Sequence, residues 1–213
     1  MTSLRIHAMS MSLDGYVAGP NQSEDAPLGV GAEGLHEWIF ATSAGQKFIG
    51  GSGGTEGLDS RLVTEGFQNI GATIMGRNMF GPVRGSWDSA PEWRGWWGDT
   101  PPFHHPVFVL THHARPPLEI ADTTFHFVTE GLDSALERAR DAAGERDIRV
   151  GGGASVVRAL LARKVIDNAH LAVVPALLGA GERVFADGVG AEGYDVRMEP
   201  GDGAVTHYFL DRR

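Results

Sequence analysis

Hydrophobic and polar positions follow two periods along this chain. Short, nearly continuous apolar runs of strand length fall at Leu4–Ser12, 72–77 (ATIMGR), 106–111 (PVFVLT), 124–129 (TFHFVT), 148–151 (IRVG) and 169–175 (AHLAVVP). Between them, apolar residues recur at helical spacing over residues 35–42, 59 to about 70, 131–143 and 154–164. Asp59 is placed to cap the second of these helices. Two further runs, YDVRME and VTHYFLD, close the chain as a pair of strands. Strands alternating with helices predict an α/β fold with a mostly parallel central sheet flanked by helices, and the closing pair adds antiparallel C-terminal strands. No period of about 20–50 residues repeats and composition does not shift, so residues 1–213 are expected to form one domain.

The connections are rich in glycine. Residues 19–34 read as a polar loop, and residues 50–57 (GGSGGTEG) as a mobile one. Residues 81–106 form a long connection carrying Trp87, Trp93, Trp96 and Trp97, aromatics able to wall a pocket or pack a core. With 42% apolar residues the chain can bury a sizeable core. No run approaches the ~18 apolar residues of a membrane span, and the first residues lack a basic stretch followed by an apolar one, so neither a membrane nor a secretory role is expected. A net charge of −9 and a pI near 5.4 argue against nucleic acid as a partner. The absence of cysteine excludes disulfides and thiolate chemistry and fits a cytoplasmic protein. His104-His105 and His112-His113 are neighbours on extended chain, point to opposite faces and do not chelate easily, so no metal is expected.

The most informative stretch is IRVGGGASVVRALLARK, from Ile148 to Lys164. A strand, three bare glycines and a helix make a phosphate cradle, because a helix start leaves N–H groups unpaired and glycine lets a ligand reach them. The dinucleotide fingerprint G-x-G-x-x-G fails, since Val156 stands where its last glycine belongs, and the G-K-[ST] of a P-loop is absent. Two other strand ends add Gly76 with Arg77, and Thr111 with His112, His113 and Arg115. Ligands of open α/β sheets bind beyond the carboxyl ends of strands, and arginine holds phosphate with two parallel bonds.

The ordered set AMSMSLDGYVAG, ATIMGRNMFGP, PVFVLTHHARPP, IRVGGGASVVRALLARKVID and HLAVVPALLGAGERVF resembles the dihydrofolate-reductase-like superfamily, in the branch of the riboflavin-biosynthesis reductase domain. The resemblance implies an NADP-dependent oxidoreductase that uses NADPH on a small, heterocyclic substrate and forms a homodimer through its C-terminal strands. It places Val150, Gly151, Gly152, Gly153, Ala154 and Ser155 against the pyrophosphate, with a cis peptide at Gly151–Gly152. Arg77 would meet the adenosine 2′-phosphate with Thr111 and His112 near it, and Gly76 would belong to the coenzyme site. Two acids of the relatives are missing, since Leu35 and Gly151 stand at those positions when the helix is aligned on Trp38. Glu33 and Glu37 lie near the first of them, on other helix faces. Asp14, at the end of the first strand, is the first candidate for a catalytic proton source. Trp38 and Glu37 are the candidates for substrate binding. A nucleotide-binding module without turnover is the alternative.

Overall fold

β-Branched and aliphatic residues dominate the segments that become strands, and the computed structural model, which describes residues 2–82, 84–186 and 188–213, orders them as follows. Strands β1 (Leu4–Ser12) and β2 (Tyr16–Ala18) lead to a short 3₁₀ turn (Glu33–His36) and helices α1 (Glu37–Phe40), α2 (Ser43–Phe48) and α3 (Leu58–Glu65). Then come β3 (Ile70–Gly76), α4 (Arg77–Phe80), β4 (Val107–Leu110), β5 (Leu118–Ile120), β6 (Thr123–Val128) and α5 (Leu132–Ala143). The chain closes with β7 (Asp147–Gly152), α6 (Ala154–Ala162), β8 (Asn168–Val174), β9 (Glu182–Arg183), β10 (Tyr194–Pro200) and β11 (Thr206–Arg212).

Nine of these strands form one sheet in the order β10-β11-β8-β1-β7-β3-β4-β6-β5, and β2 pairs with β9 apart from it. The pairings from β8 to β6 are parallel, while β11 against β8, β10 against β11 and β5 against β6 are antiparallel. The mostly parallel sheet with antiparallel C-terminal strands is the architecture expected from the alternation of periods.

Side-chain alternation gives the sheet two unlike faces. Leu4 and Ile6 of β1 and Ile148 and Val150 of β7 pack with Ala135, Leu136 and Ala139 of α5 and with Val157 and Leu160 of α6 in the main core. Arg5 and His7 of β1 and Arg149 of β7 point the other way, toward α3: Leu62 O accepts a bond from the His7 ring at 2.8 Å, and Glu65 O one from Arg5. A second core is aromatic, with Phe80, Trp87, Phe103, Phe125 and Phe127 around Val107 and Val109.

Several boundaries differ from the expectation. The helix begun near Asp59 stops at Glu65, and Asp59 does not cap it. Its carboxylate instead accepts from Asp202 N at 3.0 Å and from His207 Nε2 at 2.9 Å, while Asp202 Oδ2 takes the Asp59 N–H at 2.9 Å. The cap is thus supplied from the β10–β11 turn. The 50–57 segment is stitched to the start of α2, with Thr55 N donating to Ala41 O at 2.8 Å and Ser43 N to Thr55 O at 2.9 Å.

Candidate active site

The glycine junction lies where β7 ends and α6 begins. Gly152 holds φ at +128°, a region that side chains rarely enter, and the cis peptide falls at Gly152–Gly153 rather than at Gly151–Gly152. The sheet explains the offset: β7 still pairs with β3 at Met75–Gly152, so the chain leaves the ladder one residue later than expected. No side chain caps α6, and a Cβ at Gly153 would meet nothing within 4 Å. The backbone there faces open space with the first amides of a nine-residue helix behind it. Gly76, at the end of β3, is needed for a different reason. A Cβ there would stand 3.1 Å from Val156 and 3.3 Å from Gly153 N, so bare backbone lets the two strand ends close up.

Arg77 and Thr111 follow the ends of neighbouring parallel strands, and Arg77 Nη1 donates to Thr111 Oγ1 at 3.0 Å. The guanidinium lies 3.1 Å from the Trp87 ring centroid, a stacking contact that fixes its plane. Its Nε is buried without a hydrogen-bond partner among the described residues. Burial first, then the positive Arg84 and Arg115, push its pKa down to about 10, so it stays cationic at neutral pH. Arg115 is turned to the chain itself, donating to Trp93 O at 2.8 Å and Pro91 O at 3.1 Å.

A cleft of about 1030 Å³ joins these pieces. Gly76, Arg77, Thr111, His112 and the run Gly151–Ser155 line it. At its other end stand Glu33, His36, Ile39 and Phe40, which share one face by helical spacing, with Phe48, Phe67, His7 and Arg149. Trp96 and Trp97 line it as well, while Trp87 belongs to the aromatic core.

Four of the expected site residues lie elsewhere. Val150 is 1% exposed in the main core, because it alternates away from the cleft face of β7. Glu37 is exposed and off the cleft, whereas Glu33, one turn earlier, faces it. Trp38 is buried, its Nε1–H donating to Ser10 Oγ at 2.9 Å and its ring 5.3 Å from His207, so it supports the wall rather than forming it. Asp14 is bound by three donors: Ser12 Oγ at 2.6 Å, Leu178 N at 3.1 Å and Gly179 N at 2.7 Å. Ser12 first, then these amides, hold its pKa down to about 2. A carboxylate so held is ionised at neutral pH, has no proton to give, and acts as a clip between the end of β1 and residues 178–179.

A profile described as the RibD C-terminal domain matches residues 6–200. The chain belongs to the RibD C-terminal domain family. No curated protein sequence matches it. Among solved structures it is similar to a riboflavin biosynthesis protein of Shewanella sp. PV-4, with 20% identity, a TM-score of 0.62, and coverage of 100% of this chain and 99% of that one. It is similar to dihydrofolate reductase from Enterococcus faecalis complexed with NADP(H), at 12% identity, TM-score 0.52, and 100% and 96% coverage. A diaminohydroxyphosphoribosylaminopyrimidine deaminase/5-amino-6-(5-phosphoribosylamino)uracil reductase of Thermotoga maritima is a third, at 13% identity and TM-score 0.58, with this chain spanning 57% of that protein. These likenesses carry the dihydrofolate-reductase-like fold.

Within this RibD-type domain, the open amides at Gly153–Ser155 and the unpartnered Nε of Arg77 fit a ligand with a diphosphate and a further phosphate. Sequence reasoning missed the far half of the cleft. Arg149 could have been found there: it is the one charged residue inside an otherwise apolar strand run, IRVG. Phe40, Phe48 and Phe67 carry no such signal, since they come from three separate segments that only the fold assembles.

Proposed function

We propose that this domain is an NADPH-dependent reductase of a small, heterocyclic substrate. Gly151, Gly152, Gly153, Ala154 and Ser155 hold the diphosphate with main-chain amides, and Arg77, Thr111 and His112 hold the 2′-phosphate. Bound in this way, the reduced nicotinamide supplies the hydride. The far half of the cleft, between the Glu33–Phe40 face and Phe67, takes the substrate. One observation carries this reading: the uncapped α6 start and the Arg77–Thr111 pair, from separate strand ends, open into a single cleft. The exposed β10 residues Val196 and Met198 support a homodimer formed through the C-terminal strands.

Titration of NADPH and NADH by calorimetry tests the coenzyme assignment. Arg77→Ala is expected to weaken NADPH roughly ten- to hundredfold, the worth of a charge-assisted bond of about 1.5–3 kcal/mol, and to leave NADH nearly unchanged. Equal losses for both coenzymes remove Arg77 from the 2′-phosphate. Loss of NADPH absorbance across a panel of heterocycles separates an enzyme from a nucleotide-binding module, which binds NADPH and never oxidises it.

A further inference from the structure

Arg149 is a cation lining the cleft with no ion-pair partner among the described residues. It sits on β7 in register with Arg5 of β1 on one side and Thr73 of β3 on the other, so all three share one face of the sheet, and Arg149 lines the cleft. Among the described residues no hydrogen bond or ion pair reaches its guanidinium, and its Nε is sealed from solvent. The Nε of Arg5 also lacks a hydrogen bond, but Arg5 has Asp147 as a counter-charge at 3.6 Å and donates to the carbonyls of Glu65 and Gln68. The contact Arg149 does make is with the Phe67 ring, whose centroid lies 4.3 Å from its Cζ, and Phe67 leans on Phe48 with centroids 5.2 Å apart. Burial and the positive Arg5 push its pKa down to about 10, which leaves it charged. The acids lining the cleft, Asp25, Glu33 and Glu182, are all exposed.

A half-buried guanidinium whose Nε is sealed without a partner costs stability, because that part gives up hydration for nothing in return. A fold retains such a group where a ligand completes it, and a planar fork stacked on an aromatic ring suits an anion with two oxygens in one plane. We infer that Arg149 is the substrate-recognition residue of the cleft, and that the substrate is a flat aromatic or heteroaromatic molecule bearing a two-oxygen anion. This rests on reading the cleft as a reductase's and names the class of molecule its far half takes. Phe67 and Phe48 flank the ring system, and the guanidinium receives the acid.

The test compares the full chain with Arg149→Met, which keeps an unbranched apolar stem against Phe67, and with Arg149→Lys. Benzoate, phenyl phosphate and uncharged benzamide are titrated by calorimetry, with and without NADPH, and melting temperatures are recorded without ligand. The wild type is expected to bind one of the anions at least about tenfold more tightly than benzamide. Arg149→Met should lose that difference, Arg149→Lys should retain part of it, and NADPH affinity should stay within about twofold in both. The unliganded Arg149→Met protein should melt at or above the wild type, since an uncompensated charge has gone. Preference for benzoate marks a carboxylate and preference for phenyl phosphate a phosphate, and either supports the assignment. Anion binding no tighter in wild type than in Arg149→Met, absent binding included, overturns it. So does a melting temperature far below wild type in Arg149→Met, which makes the residue a structural strut on Phe67. If NADPH fails to bind while the anion preference persists, the reductase reading falls and this one stands.

Discussion

Lowering the pH from 7.5 to 5 should destabilise the protein through histidines that the fold buries in neutral form. His170 is 2% exposed and its hydrogen bonds run in one direction. Ala8 N–H donates to its Nδ1 at 3.2 Å, so its Nε2 carries the proton and donates to His207 Nδ1 at 2.9 Å. His207 Nε2 then donates to Asp59 Oδ1 at 2.9 Å. A second proton on His170 would set two donors against each other at Ala8. His7, His207 and Arg197 also face it with positive or potentially positive charge, and burial above all pushes its pKa down from 6.5 to about 2. His105, bonded to Thr73 Oγ1 at 2.7 Å, is pushed down to about 4 by burial.

The sign follows from proton counts. Below pH 6.5 the unfolded chain takes up protons that the folded one refuses, so stability present above that value is lost as pH falls toward the folded pKa. Each such histidine costs about 1.4 kcal/mol per pH unit below 6.5, hence about 2 kcal/mol at pH 5. His170 and His105 together cost about 4 kcal/mol, a large part of the ~5–15 kcal/mol that holds a domain. His7 and His36, both pushed down to about 4 mainly by burial, act in the same direction, whereas Asp14 acts only between its ordinary value of 3.8 and about 2. Urea unfolding followed by tryptophan fluorescence at pH 7.5, 6.5, 5.5 and 5.0 measures the loss. In His105→Asn, which keeps a polar partner for Thr73, the loss should shrink by about 2 kcal/mol. Equal or greater stability at pH 5 than at 7.5 refutes the reasoning.

Gly152→Ala forces a side chain onto φ +128° and should cost about 1–3 kcal/mol in urea unfolding while weakening NADPH; wild-type stability in the variant would show that the turn relaxes freely. Trp38→Phe strands the buried Ser10 hydroxyl and should cost about 1–3 kcal/mol, with NADPH affinity unchanged by calorimetry. A coenzyme loss there would move Trp38 from support to contact. Asp14→Asn should lower the melting temperature and leave the pH profile of turnover in place, and a profile that loses its acidic limb would restore Asp14 as a proton source.

What was legible in the sequence follows from how local each feature is. The run of Ile148–Lys164 announces strand, turn and helix through short-range pattern alone, and the structure keeps β7, the glycines and α6 in that order. Hairpin β5–β6 was not foreseen because Ala121 turns it at φ +51°, and alanine is not a usual turn signal. β2 and β9 are three and two residues long and pair with each other, and the Tyr16 hydroxyl also reaches Gly179 O, 163 positions along the chain. Asp59 looks like a helix cap from its neighbours, yet its partners Asp202 and His207 lie more than 140 positions away. Asp14 likewise reads as a poised acid until Gly179 and Leu178 close on it. Titratable groups were misjudged where their partners are remote.

The cleft itself is a consequence of the sheet's unequal faces. On one face Leu4, Ile6, Ile148 and Val150 give α5 and α6 a continuous apolar surface to seal. On the other face β1, β3 and β7 carry Arg5, His7, Thr73 and Arg149; α3 covers the first two by offering the carbonyls of Glu65 and Leu62, and Arg149 is left lining the cleft. Only short helices pack there, and α1, α2 and α3 leave the middle open. β7 then links the two ends of that opening: Arg149 sits in it, and three residues later the chain turns out through Gly152 into the unpaired amides of α6. The protein as a whole carries −9, so its long-range field repels anions. At physiological salt that field fades within about 8 Å, whereas contacts inside a partly desolvated cleft are screened far less. On the proposed reading, anion selection would therefore depend on bare amides and on the Arg77 and Arg149 guanidinium groups at contact distance, and not on overall charge.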